Sequence, residues 1–157
     1  MRITRKQSLL VAVLTLLTAP AVLASDDPTA RDVQRMQGDW MVRRMRVDGM
    51  DLPDPDAQSL FRTVEDGNYA VFRYSKRLSQ GSFTLDATKS PKTIDSMPTP
   101  KPGSDASEPP KPIRGIYEFD GDVMRICNSR PGQPRPKNFE AKRFTGHTLI
   151  EWEPEIK

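Results

Sequence analysis

The sequence predicts an all-β protein, a small antiparallel up-and-down β-barrel of about eight strands with a short N-terminal helix. Short runs rich in Val, Phe, Tyr and Trp recur after residue 38, which is typical of strands. Asp-Gly dipeptides separate several of these runs and favour tight hairpins. Closure of such a meander removes the two unpaired edges of an open sheet, so we expect a barrel, although a two-sheet sandwich is compatible with the same strands.

The first 24 residues have the pattern of a secretory signal peptide. Three basic residues precede an apolar stretch over residues 9–17, and small residues follow Pro20. We expect cleavage after Ala24, with Ala21 as the alternative, and therefore a periplasmic or extracellular protein. Retention as an uncleaved anchor is a further alternative, but the apolar stretch is short for a bilayer span. After cleavage the chain would not be an integral membrane protein.

The remaining chain predicts one domain. We assign residues 25–32 to a linker and residues 33–157 to the barrel. A helix is expected over residues 29–37, with Thr29 as its cap and Gly38 at its end. Strands are predicted, in order, over residues 39–47, 60–64, 69–74, 80–85, 92–97, 113–119, 123–127, 138–144 and 148–152. The turns between them contain Asp48-Gly49, Asp66-Gly67, Asp120-Gly121 and Thr145-Gly146.

Two connections are rich in proline. Residues 98–112 contain six prolines and almost no apolar side chains, so they predict an extended loop. This loop is either a surface insertion or a binding arm of polyproline-II type. Residues 128–137 form a second, basic connection. If both connections flank one end of the barrel, they form its rim.

Composition excludes several functional classes. Loss of the leader removes three basic residues and leaves 21 basic against 21 acidic residues, so no nucleic-acid partner is expected. His147 and Cys127 are the only residues of their types and cannot build a conventional zinc site. Residues 51–56 hold three aspartates, which suggest calcium, but their prolines favour a plain turn. No nucleophile, phosphate-loop or dinucleotide motif occurs. We therefore expect no metal, no cofactor and no enzymatic activity, and Cys127 is expected to be a buried small hydrophobe.

Five segments together resemble a known family. They are MQGDW (residues 36–40), VDGMDLP (47–53), GSFTLDATKSPKTID (81–95), GIYEFDGDVMRIC (115–127) and GQPRPKNFEAK (132–142). In this order they resemble the planctomycete-type lipocalin-like domain, a family of uncharacterised exported proteins, over about residues 33–153. The resemblance implies a lipocalin-like barrel and assigns no ligand, reaction or catalytic residue.

Gly38 and Trp40 are predicted to have structural roles at the start of the barrel. The Gly-x-Trp pattern after a short helix is similar to the one that begins lipocalin barrels. Gly38 would let the chain leave the helix through a left-handed turn. Trp40 would then fill the barrel floor, where its large apolar surface is buried. The alternative role for Trp40 is contact with a ligand.

The candidate binding site is the barrel interior. Residues two apart share a face of a strand, and such pairs predict an interior lined by Tyr69 with Val71, Phe83 with Leu85, Tyr117 with Phe119, and Met124 with Ile126. Arg125 is added as a contact for an acidic head group, and Arg44 and Arg73 also lie within predicted strands. The alternative is that these arginines face water.

Two functional hypotheses follow. In the first, an exported lipocalin-like protein holds a small hydrophobic or amphipathic ligand in its barrel. In the second, the barrel is filled by its own side chains and acts in the envelope as an interaction or inhibitor module, through its surface and proline-rich loops. The sequence makes no prediction of oligomeric state.

Overall fold

The computed structural model describes residues 27–103 and 109–155 of the 157-residue chain. The predicted signal peptide and the centre of the first proline-rich loop lie outside the described residues. The described elements are, in order, α1 (Pro28–Met36), β1 (Gly38–Val47), β2 (Met50–Asp51), α2 (Asp54–Gln58), β3 (Leu60–Glu65), β4 (Asn68–Arg73), β5 (Lys76–Asp86), β6 (Lys92–Pro98), β7 (Ile113–Asp120), β8 (Val123–Asn128) and β9 (Thr148–Pro154).

The strands form one closed antiparallel barrel. Consecutive strands from β3 to β9 pair with one another, and β1 pairs with both β3 and β9. The β1–β9 ladder runs from Trp40 opposite Pro154 to Val47 opposite Thr148, so the first long strand meets the last. Eight strands, β1 and β3–β9, make the barrel, and the two-residue β2 extends beside β1. The predicted up-and-down barrel is confirmed, and the sandwich alternative is wrong because the sheet is continuous.

Two of the hairpin dipeptides adopt the backbone that tight turns require. Asp48 and Gly49, which join β1 to β2, have φ values of 49° and 85°. Asp66 and Gly67, which join β3 to β4, have φ values of 46° and 76°. Positive φ at both central residues is the mark of a type I′ turn, whose twist matches that of the flanking strands.

The N-terminal helix begins earlier than the sequence indicated. Its cap is Asp27, whose Oδ1 accepts a hydrogen bond of 2.9 Å from the backbone nitrogen of Thr29. Thr29 instead uses its hydroxyl oxygen to accept from the backbone nitrogen of Ala87, at 3.1 Å. The helix spans Pro28–Met36 rather than the predicted residues 29–37, and its first turns lie within residues 25–32, which we assigned to the linker.

Two local predictions are wrong. Residues 138–144 form no strand; Phe139 and Ala141 pack instead on the outer face of the barrel, against a second apolar cluster that contains Cys127. Residues 54–58 form helix α2 rather than a plain turn, since Pro55 suits a first helical turn and Ala57 is buried against the barrel. The alternation of apolar and polar residues and the proline content indicate local conformation only. Neither pattern shows what a segment packs against, so both predictions failed.

The two proline-rich connections meet at the end of the barrel opposite α1. Lys92, at the start of β6, and Gly121, just before β8, both bond to side chains of α1. Strands β6 and β8 therefore run away from the helix and deliver both connections to the far end. There the backbone nitrogen of Gly132 donates a 2.9 Å hydrogen bond to the carbonyl oxygen of Pro112.

Candidate functional site

The barrel interior contains all eight apolar residues that the sequence placed there. Five of them are buried, and the other three are partly buried against the same cluster. The buried residues are Tyr69, Phe83, Tyr117, Met124 and Ile126; the partly buried ones are Val71, Leu85 and Phe119. They line the inside because alternate residues of a strand face opposite sides of the sheet.

Arg125 does not belong to this interior. It lies between Met124 and Ile126, which point inward, so its own side chain points outward. There it forms ion pairs with Glu118 and, at 3.5 Å, with Glu151, its cross-strand neighbours on β7 and β9. The prediction that Arg125 lines the interior is wrong. Arg44 and Arg73 are also exposed, as the alternative interpretation expected.

The charged residue inside the barrel is Arg62, which the sequence did not single out. Arg62 lies on β3 between the buried residues Leu60 and Val64, and only 5% of its surface is exposed. Its guanidinium carbon is 5.0 Å from the ring centroid of Tyr69 and 5.5 Å from that of Phe83. Contact with aromatic faces offsets part of the cost of removing the cation from water.

Arg62 is a buried cation with two donor nitrogens that lack a partner in the described part of the chain. Neither Nε nor Nη2 has an acceptor among the described residues. Burial lowers the pKa of Arg62 to about 10, which still leaves the side chain protonated at neutral pH. An unpaired buried charge is among the most costly features of a protein interior. Such a group is a candidate for binding rather than for stability.

A second interior donor lies across β1 from Arg62. The indole nitrogen of Trp152 is buried and has no acceptor among the described residues. Trp152 pairs with Val42 of β1, whereas Arg62 pairs with Trp40 on the other side of that strand. The two donors therefore come from the strands that flank β1, one inward-facing step apart along the barrel axis.

The one buried carboxylate described near the barrel already has partners. Asp32 of α1 is 3% exposed and accepts hydrogen bonds from Lys92 Nζ at 2.7 Å and from the hydroxyl of Tyr117 at 2.9 Å. Burial, together with the bond to Asp32, raises the pKa of Tyr117. This cluster fastens α1 over one end of the barrel and leaves Asp32 unavailable to Arg62.

Gly38 and Trp40 complete the closure at this end. Gly38 has a φ of 104°, a conformation that favours glycine. Trp40 is 5% exposed, and its indole nitrogen donates a hydrogen bond of 2.8 Å to the carbonyl oxygen of Met36. Met36 is fully buried.

Four cavities lined by described residues open on the outer surface. Their volumes range from about 380 to 630 Å³, and outward-facing or loop residues form most of their walls. Of the residues in the interior cluster, only Tyr69 contributes to one of them. The inward-facing apolar side chains form one buried cluster, so any guest among them must be small or must displace them.

Neither a metal-binding cluster nor a membrane-spanning helix occurs in the part of the chain that the structure describes. No group of three or more His, Cys, Asp or Glu side chains in that part is placed to hold a metal ion. Asp51 accepts from Arg46 at 3.0 and 2.8 Å and is not part of such a group. Neither of its helices, of nine and five residues, could cross a bilayer.

Comparison with protein-family models, with curated proteins and with solved structures finds no match for the chain.

Proposed function

We propose that the protein is an exported, lipocalin-like binding module that holds a small amphipathic molecule inside its barrel. The observation that carries the proposal is the pair of buried donors, Arg62 and Trp152, for which the described residues supply no acceptor. A guest with an acceptor group would meet this need, while the surrounding apolar and aromatic side chains would receive its hydrocarbon part. The proposal includes no catalytic step.

The large side chains inside the barrel limit the size of the guest. Tyr117, Ile94, Met124 and Ile126 are among the largest fully buried side chains, and they occupy much of the barrel. A guest of few non-hydrogen atoms would require the smallest rearrangement of a core packed at native density. We therefore propose a short-chain or single-ring molecule rather than a long lipid.

The proposal can be tested by native mass spectrometry of the purified protein, followed by thermal unfolding with small amphipathic compounds. We expect either a co-purified small molecule or a rise in melting temperature that saturates with compound concentration, because a ligand that binds only the folded state stabilises it. A variant with Phe83→Trp, which enlarges a side chain beside Arg62, tests the location of the site and should weaken binding. A protein that carries no guest and responds to no compound would contradict the proposal.

A second candidate function is interaction through the outer surface. Phe144 is 93% exposed and has a φ of 64°, and Met50 is 60% exposed. Their loops are joined, since Asp48 Oδ1 accepts a 2.8 Å hydrogen bond from the backbone nitrogen of Gly146. An exposed aromatic residue held in a left-handed conformation is a feature that protein–protein contacts explain better than folding does.

This second candidate is tested by cross-linking in native envelopes with a Phe144→Ser, Met50→Gln variant. Tyr74→Ser, at the exposed β4–β5 turn, is the matched control because Tyr74 is 73% exposed. A further variant replaces residues 99–111 by a Gly-Ser linker of equal length. Cross-links to one partner that disappear in the first variant, or with the linker, and persist in the control would support the surface function. Cross-links that are the same in all variants would exclude it.

A further inference from the structure

We infer that the guest is a small organic carboxylate whose two oxygens accept hydrogen bonds side by side from Nε and Nη2 of Arg62. This inference rests on the proposed function and adds the chemical class of the ligand. It is carried by the identity of the two unpartnered atoms, by the absence of an available acid within the described interior, and by the side chains that surround the guanidinium.

The two unpartnered nitrogens lie on one edge of the guanidinium. The N–H bonds of Nε and Nη2 point the same way, and their spacing matches that of the two oxygens of a carboxylate. A single carbonyl or hydroxyl acceptor would satisfy only one of them well. The geometry of the two unpartnered N–H groups therefore matches a carboxylate.

The same edge holds a carboxylate elsewhere in this protein. At the surface, Arg46 Nε donates to Asp51 Oδ1 at 3.0 Å and Arg46 Nη2 donates to Asp51 Oδ2 at 2.8 Å. Arg62 offers these two atoms in the barrel interior, where lower dielectric strengthens a charge-assisted hydrogen bond. A carboxylate bound there would repeat a geometry that the chain already forms on its exterior.

The positive charge of Arg62 favours a carboxylate over a neutral guest. The inward-facing residues described on the eight barrel strands include no Asp or Glu, and Asp32 is bonded to Lys92 and Tyr117. A neutral acceptor would meet the hydrogen bonds of Arg62 but leave its charge uncompensated. An anion meets both requirements.

The neighbours of Arg62 define the rest of the guest. Tyr69 and Phe83 lie beside the guanidinium, and Val64 and Val71 are inward-facing neighbours on β3 and β4. Arg62 pairs with Val71, and Val64 pairs with Tyr69. These walls suit a short alkyl chain or one aromatic ring, and they offer no charge for a second anionic group. We therefore infer a monocarboxylate.

The test compares octanoate, octanol and octylamine, which share one chain and differ in charge, by calorimetric titration of the full chain. We expect octanoate to bind at least about tenfold more tightly than octanol, and octylamine not to bind, because hydrogen bonds to charged groups contribute more than neutral ones. Arg62→Met should lose this preference by about tenfold or more. Arg62→Lys, which keeps the charge without the paired donors, should retain only part of it.

Arg73→Met is the matched control, because Arg73 lies on the neighbouring strand and is exposed. It should bind octanoate as the unchanged protein does. Should Arg62→Met fail to fold, carboxylate-labelled octanoate gives a second measurement on the unchanged protein: its carbon resonance should shift on binding and should not titrate between pH 5 and 8.

The outcomes separate the two proposals. If octanol binds as tightly as octanoate, or if Arg62→Met binds octanoate normally, the carboxylate inference fails and the barrel-binding function stands. If chloride or phosphate raises the melting temperature as much as octanoate does, Arg62 takes an inorganic anion and the inference is overturned. If none of the compounds binds and the protein carries no guest, both proposals fail.

Discussion

The indole nitrogen of Trp40 donates a hydrogen bond of 2.8 Å to the carbonyl oxygen of Met36, the last residue of α1. Met36 and Trp40 are both buried, and Gly38 turns the chain between them. A carbonyl at the end of a helix has no partner within the helix, so this side chain satisfies it. The helix and the first barrel strand are thereby joined at the closed end.

The contribution of this hydrogen bond to stability can be measured by comparing substitutions of Trp40 and of Trp152, a second buried tryptophan. We expect Trp40→Phe to lower the free energy of unfolding by about 1 kcal/mol more than Trp152→Phe, because only Trp40 bonds to a protein acceptor. Both residues are buried, at 5% and 3% exposure, so the loss of volume is similar. Urea unfolding followed by far-ultraviolet circular dichroism measures the difference. Equal losses would show that the bond to Met36 contributes nothing.

Gly38 should resist substitution for a backbone reason alone. A Cβ at this position would meet no atom within 4 Å, yet the φ of 104° is one that L-residues rarely adopt. We expect Gly38→Ala to cost about 1–3 kcal/mol of stability. Gly121→Asn is the control, since its φ of 57° suits asparagine and it too has open space. If the two variants unfold at the same urea concentration, backbone strain at Gly38 is refuted.

The Asp32–Tyr117 bond predicts how stability depends on alkaline pH. Burial and Asp32 raise the pKa of Tyr117 in the folded state, so its protonated hydroxyl is favoured by folding. This contribution is fully present below the pKa of an unfolded tyrosine, about 10, and is lost as pH rises further. We expect the unchanged protein to lose more stability than Tyr117→Phe between pH 9.5 and pH 11.5, values set around that reference.

Urea unfolding across this range gives the comparison, and absorbance at 295 nm follows tyrosinate formation. Tyr74→Phe is the control because Tyr74 is exposed at a turn and makes no bond to Asp32. Parallel pH curves for the unchanged protein and Tyr117→Phe would contradict the prediction.

Cys127 should be unreactive until the side chain that packs over it, Phe139, is removed. The thiol is fully buried, and burial raises its pKa to about 11. Since the thiolate is the reactive form, labelling by a disulfide reagent at pH 8 should be slow and should require local opening. Phe139→Ala should accelerate labelling about tenfold or more, because Phe139 packs on the cluster that contains Cys127. Phe144→Ala, at an exposed position of the same segment, should leave the labelling rate unchanged. Faster labelling in both variants would contradict the claim that Phe139 shields Cys127.

The strands were predictable because their signals are local. Turn dipeptides with positive φ, such as Asp66-Gly67, interrupt runs of strand-forming residues and thereby define the hairpins. Segment 138–144 carries a similar alternation but does not pair. Phe139 and Ala141 find their apolar partners on the outer surface of the sheet, and no local pattern distinguishes this packing from a strand.

Arg62 escaped prediction because both faces of β3 carry apolar residues. Phe61 stacks on Phe72 of β4 at a centroid distance of 4.7 Å, outside the barrel, while Leu60 and Val64 face inward. From the sequence, either phase of the strand is acceptable, and placing Phe61 inside would leave Arg62 in water. The phase that forms is decided by pairing with β1 and β4 over the whole ladder.

The sequence by itself determined where most of the strands lie, and thus that the sheet is an antiparallel meander with a helix at its start. Only the tertiary structure decided which face of each strand is enclosed. A shift of one residue exchanges the two faces, and the free energy that selects between them is summed over contacts among distant strands. For β3 that selection places an arginine, rather than a phenylalanine, inside the barrel.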